Sequence, residues 1–214
     1  MNIKPILFST PMVQAIMNGK KSMTRRVVSF NAGFNPNWTG YVSDGAVIYG
    51  SNNIPAAKAK YKQGDILWVR ETWANPSDAE IHNDADAGMY LYKADYPLLP
   101  AAPGKWRPSI FMPKDAARIF LRVKNVRAER LQDISNEDAI KEGFEGSECS
   151  HPDGFPCTDC LNSGWIEPPR VSFAILWEEL NGARCGGVYQ WGMNPYVWVI
   201  EFEQCEKPEG WCGQ

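Results

Sequence analysis

Gly19-Lys20-Lys21-Ser22-Met23-Thr24-Arg25-Arg26 is the stretch on which the reading of this chain turns. Ahead of it, Ser9 or Thr10, then Pro11, then Met12, Val13, Ile16 and Met17 read as a short capped helix with proline in its first turn. Gly19 supplies the left-handed stop. Ser22 to Ser29 then reads as a strand. Lys21, Thr24 and Arg26 thus follow a helix stop at fixed offsets. A lysine amine can act as a base, a threonine hydroxyl as a nucleophile and an arginine as a planar anion clamp. The plainer alternative is a solvated Lys/Arg edge.

Working outward, Ile3 to Phe8 reads as a strand, and so does the apolar run Ile66 to Val69 after Gly64-Asp65. Tyr41-Val42 and Val47-Ile48-Tyr49 flank Ser43-Asp44-Gly45, the pattern of a hairpin. Met89 to Tyr92 is a further strand, and the proline-rich stretch 95–110 is loop. Ile119 to Val126 begins apolar and ends in alternation. Ser135 to Glu142 reads as a helix with Ser135 as cap, Glu137 and Asp138 in the first turn and Gly143 after its end. Phe173, Leu176, Trp177 and Leu180 keep helical spacing, so Ser172 to Leu180 is a third helix. Tyr196 to Phe202 closes the pattern as a strand. The class is α+β.

At 214 residues with 44% hydrophobic content, one domain with a sizeable core is expected. The net charge of −3 disfavours a protein that coats long duplexes, since phosphate neutralisation supplies the affinity there. A local basic patch or a nucleoside-sized ligand is compatible. Nine tryptophans are many, and most are expected in the core. The first residues show no charged region followed by an apolar run, and no stretch approaches the ~20 apolar residues of a membrane span. A cytoplasmic location without a membrane partner is the expectation. Its six cysteines should then be reduced.

The spacing Gly-x-Lys-x-x-Thr-x-Arg, carried by Gly19, Lys21, Thr24 and Arg26, resembles the signature of ASCH domains, small β-barrels of the PUA-like superfamily. Thr24 stands where some members have glutamate, and in this the chain is similar to the N(4)-acetylcytidine amidohydrolase branch. Lys4 to Ser9, Gly64 to Trp73, Trp106 to Ile110 and Asn194 to Phe202 resemble larger, phage-associated members. The resemblance implies one ASCH-like domain over 1–214, a β-barrel with short flanking helices. About 35–60 and 145–168 look like insertions, the first a hairpin and the second a Cys/His loop.

The resemblance also implies a function: a pocket for a nucleoside, a nucleotide or RNA, with hydrolysis of an amide on an acylated cytidine. Thr24 would be the nucleophile, Lys21 its base and Glu142 the carboxylate. Glu142 keeps the spacing of the branch's catalytic glutamate, three residues after Ala139. Glu71 is the rival carboxylate, with a salt bridge to Arg70 or Arg107 as its plainer role. Arg26, Glu71, Trp106 and Arg107 are candidate substrate contacts. Trp68 and Trp73 could line the same pocket, although Trp68 sits in an apolar strand and suits a core. The alternatives are a non-catalytic RNA-binding module and a ribonuclease.

Cys149, His151, Cys157 and Cys160 place four soft ligands within twelve residues. Cys-x-x-Cys is a common zinc knuckle, and Pro152, Gly154 and Pro156 keep the segment from being a long helix or strand. A structural zinc is expected, against a reduced loop in which the spacing arose by chance. No cofactor is expected for catalysis. Cys185, Cys205 and Cys212 read as buried or tail thiols.

Overall fold

The computed structural model describes residues 2–30, 41–43, 47–49, 55–75, 90–96, 105–144 and 168–211. The strands are β1 (Ile3–Leu7), β2 (Met23–Val27), β3 (Tyr41–Ser43), β4 (Val47–Tyr49), β5 (Pro55–Lys58), β6 (Ile66–Arg70), β7 (Trp73–Ala74), β8 (Leu91–Tyr92), β9 (Phe120–Arg130) and β10 (Tyr196–Cys205). The α-helices are α1 (Thr10–Met17), α2 (Asn136–Lys141) and α3 (Pro169–Asn181).

Five strands form a mixed sheet in the order β1-β6-β9-β10-β2. β1 runs parallel to β6, whereas β6–β9 and β10–β2 are antiparallel. Smaller sheets are β3-β4-β5 and β7-β8. The α+β class is therefore as expected. Among the described residues the main sheet is open, with β1 and β2 at its edges, and does not close into a barrel. The expected hairpin is present, with Tyr41 opposite Tyr49 and Ser43 opposite Val47. Leu91–Tyr92 of the expected Met89–Tyr92 strand pairs with Trp73–Ala74, and Met89 lies outside the described residues. The third helix begins earlier than its apolar spacing suggested, because Pro169 serves at its first turn, where a missing N–H costs nothing.

The chain divides into two compact units. The first comprises Met1–Gly19, Gln63–Lys124 and Phe202–Gln214. Its core gathers Ile66, Trp68, Trp73, Met112, Ala116, Ala117, Phe120 and Trp211. Trp68 is thus a core residue, as its strand context implied. Trp73 is too, since apolar packing of a large indole outweighs a place at a pocket wall. α1 lies here, stopped by Asn18 and by Gly19 at φ 71°, a conformation only glycine adopts without cost.

The second unit comprises Lys20–Lys62 and Asn125–Glu201. Its core joins Met23, Leu131, Ile134, Ala139, Phe173, Trp177, Val197 and Val199. Burying a side chain such as Phe173 contributes about 1.5–3 kcal/mol, which holds α3 in place although it carries few caps. Among the described residues, no helix is long and apolar enough to cross a membrane.

Candidate functional site

The motif residues and Glu142 all fall in the second unit. α2 starts at Ser135, whose hydroxyl accepts from the Asp138 N–H at 3.1 Å, and it ends at Glu142. The backbone then bridges. Lys21 and Glu142 form an isolated antiparallel pair, and the Ser22 N–H donates to the Lys141 carbonyl at 2.8 Å. This short zipper sets the two side chains side by side before any packing is considered. The Lys21 ammonium donates to Glu142 Oε2 at 2.6 Å and to the Glu142 carbonyl at 2.7 Å. The side chains are 0% and 3% exposed.

Burial pushes the proton affinity of Lys21 below the ordinary lysine range. The Glu142 charge and hydrogen bond oppose this, while Arg26 and Arg25 add to it. A lysine so placed moves toward the neutral state that a general base requires.

Arg25 is the residue that the sequence did not single out. Its guanidinium is wholly buried. It donates to Glu129 Oε1 at 2.6 and 3.0 Å, to Asp138 Oδ2 at 2.7 Å and to Glu142 Oε1 at 3.4 Å. It also lies 5.8 Å from the Phe173 ring centroid. Burial alone would lower its proton affinity, but these carboxylates outweigh it and hold the charge firmly. Arg127 extends the network outward, to Glu129 at 3.2 Å, to Asp138 at 3.0 Å and to Glu201. Glu142 is therefore braced from both oxygens. The arginine–arginine pair in the motif held the clue, since alternate residues of a strand face opposite ways.

That alternation also sorts Thr24. β2 pairs with β10 so that Thr24 faces Ile200, Arg25 faces Val199 and Arg26 faces Trp198. Met23, Arg25 and Val27 share one face, and Met23 and Val199 meet in the core. Thr24 and Arg26 share the other with Ile200 and Trp198. Thr24 is 2% exposed. Arg26 is half-buried. Burial lowers its proton affinity, Glu142 and Tyr61 oppose this, and Arg184 lowers it further. Glu142 thus touches Arg25 on one face, and its charge is felt by Arg26 on the other.

The remaining candidates belong to the first unit. Glu71 is 1% exposed. Its carboxylate pairs neither with Arg70 nor with Arg107, as the sequence had suggested, but with Arg118. The guanidinium fork of Arg118 reaches Oε1 at 2.9 Å and Oε2 at 3.0 Å. Burial raises the proton affinity of Glu71, and Arg118 opposes this. Arg118 also binds Asp95 at 2.6 Å and lies 3.9 Å over the Tyr92 ring. Burial is the main reason the Tyr92 phenol is pushed up to about 12. Arg107 bridges to Trp73 through the backbone and lies over its ring at 5.2 Å. Lys93 lies 5.3 Å over the ring of Trp106, whose indole N–H is buried without a partner. Glu71, Trp106 and Arg107 are thus gathered in one unit, and Lys21, Thr24, Arg26 and Glu142 in the other.

Cys149, His151, Cys157 and Cys160 lie outside the described residues. Among the described residues no group of three or more His, Cys, Asp or Glu side chains is placed to hold a metal. Cys185 is exposed rather than buried, and Cys205 is half-buried. Comparison with protein-family models, curated proteins and solved structures finds no match to this chain.

Proposed function

We propose that this chain is an ASCH-type, PUA-like protein of the cytoplasm that binds a cytidine-type nucleoside and hydrolyses an amide on its acylated exocyclic nitrogen. The single observation that carries the reading is the buried Lys21–Glu142 pair at 2.6 Å, three residues before a buried threonine. A proton shared between these partners can pass from the ammonium to the carboxylate, leaving an amine able to accept the Thr24 proton. The Thr24 oxygen attacks the acyl carbon, and the carbon–nitrogen bond breaks as the departing amine takes up that proton. Water then releases the acid from the threonyl ester and restores the hydroxyl. Arg26 and the Trp198 indole, neighbours across β2 and β10, suit an oxygen-rich flat heterocycle.

A non-catalytic binding module is the second reading, and one observation favours it. Glu142 is held by Lys21 and Arg25, and Arg25 faces away from Thr24 in β2. Incubating the purified protein with N(4)-acetylcytidine separates the two. Release of acetate and cytidine supports the hydrolase, and its absence across a range of acyl groups leaves the binder.

A further inference from the structure

Arg25 divides its guanidinium between two tasks in the second unit. Nε and Nη2 turn outward. They donate to Glu129 Oε1 at 3.0 and 2.6 Å, and Nη2 also donates to Asp138 Oδ2 at 2.7 Å. These short, charge-assisted bonds answer the structural need of a cation that is 0% exposed. Nη1 points the other way. It meets Glu142 Oε1 at 3.4 Å and Met23 Sδ at the same distance. That contact is not needed to settle the arginine, so its value lies with Glu142.

The last torsion of a glutamate is soft and roughly two-fold, so a carboxylate alone can offer either oxygen to a neighbouring amine. Here Oε1 faces Arg25, and Oε2 is the oxygen 2.6 Å from the Lys21 ammonium. The guanidinium is a fixed reference, because β9 and α2 grip its far edge through Glu129 and Asp138. Arg127 secures those two carboxylates in turn, at 3.2 and 3.0 Å, and reaches Glu201 on β10. Charge acts beside position. Lys21 is faced by Glu142 from the end of α2, which favours the ammonium, and by Arg25 and Arg26 from β2, which disfavour it. Lys141 of α2 is directed to Asp138 at 3.8 Å.

We propose that Arg25 is a positioning residue of the site: from the face of β2 opposite Thr24 it fixes which oxygen of Glu142 meets Lys21, and through that pair it sets the lysine for the threonine. This rests on the hydrolase reading above and adds to it a residue that works through two others. The cation must be planar as well as charged, since one edge holds the scaffold while Nη1 faces the site.

Two variants separate position from charge. Arg25→Lys keeps a cation and loses the fork, and Arg25→Gln loses the cation. Two readouts are taken. Titration of the Lys21 ammonium by heteronuclear NMR, on protein carrying isotope-labelled lysine, needs no turnover. Steady-state kinetics on N(4)-acetylcytidine across pH gives kcat and KM. In Arg25→Lys, kcat should fall roughly tenfold or more with KM held within about twofold, since a misplaced base harms the chemical step and not binding. Lys21 should titrate there much as in the wild type. In Arg25→Gln, Lys21 should titrate at higher pH because a repelling charge has gone, and the acidic limb of kcat/KM should move the same way. Should neither variant fold, Asp138→Asn removes one anchor and leaves Arg25 in place, and kcat should again fall with KM held. Wild-type kcat per folded molecule in Arg25→Lys, or in Asp138→Asn where that is the variant used, overturns the proposal and leaves Arg25 a scaffold residue. So does a Lys21 titration unmoved in Arg25→Gln. A wild type without acylcytidine turnover removes the hydrolase, and the NMR titration then decides Arg25: a shift keeps it as the group that sets the lysine, and no shift removes it. Turnover with both readouts unmoved removes Arg25 and keeps the hydrolase.

Discussion

Lys21→Met removes one amine and keeps an apolar stem of similar length, so its cost measures the buried pair. The variant leaves the Glu142 carboxylate, 3% exposed, with Arg25 Nη1 at 3.4 Å, longer than a strong charge-assisted bond. It also leaves the Glu142 carbonyl without the donor now at 2.7 Å. The carboxylate can escape by taking a proton. Taking that proton costs free energy at neutral pH and less in acid. The bared carbonyl adds about 1 kcal/mol or more. A loss of about 3–5 kcal/mol is expected, the usual cost of removing one partner of a buried pair. For a chain of this length that lowers the melting temperature by roughly 6–20 °C.

Urea unfolding followed by circular dichroism reads it, at pH 7 and at pH 5. At pH 5 protonating an orphaned carboxylate costs less, so the variant should move toward the wild type. Lys21→Met/Glu142→Gln should recover about half the loss, because the orphan charge is gone. At the alkaline end the sign reverses. Lys21 has a lowered proton affinity when folded, so the folded state releases its proton before the unfolded chain does. Wild-type stability therefore rises with pH up to the unfolded lysine value of ~10.4, and the variant lacks that rise. A loss under ~1 kcal/mol at pH 7, or the same loss at both pH values, would refute the reasoning.

Thr24→Val should abolish acylcytidine turnover while changing cytidine affinity by no more than ~0.5–1.5 kcal/mol, because the hydroxyl acts chiefly in the transition state. Steady-state kinetics beside calorimetry checks this, and undiminished turnover sinks the nucleophile. Arg118→Met should cost about 3–5 kcal/mol at neutral pH, since Glu71 is left buried and unpaired. Glu71 already has a raised proton affinity, so the variant should be firmer in acid and lose stability as pH rises past the unfolded glutamate value of ~4.3. Melting temperatures flat with pH would contradict it. Cys149, His151, Cys157 and Cys160 predict one zinc per chain by metal analysis, and metal-free protein untouched by chelators would refute that.

The sequence carried the local part of this structure. Pro11 and Gly19 bound α1, Ser135 caps α2, and Ala139 to Glu142 keeps the spacing that brings a carboxylate to Lys21. These are signals within a few residues, governed by backbone conformation and capping. Arg25 and Arg118 were illegible for the opposite reason. Arg25 gains its role only once β2 is laid against β10 and α2, bringing carboxylates 104 to 117 residues away. Arg118 meets Glu71 across 47 residues and carries no local pattern, whereas Arg70 stands next to Glu71 and drew attention by adjacency. The division into two units was hidden likewise, because the first is assembled from three separate segments.

That assembly constrains how the molecule can be made. β10 supplies Val197 and Val199 to the core of one unit. In the other, Phe202 packs at 6.1 Å from Phe8 and Gln204 donates to the Ile16 carbonyl. A ribosome delivers this strand after every other described element. Neither core can be completed during synthesis until it emerges, so β2 must wait with its arginines and buried lysine still in water. Loss of the segment after Asn194 should yield two unfinished cores together, rather than one sound unit and one damaged one.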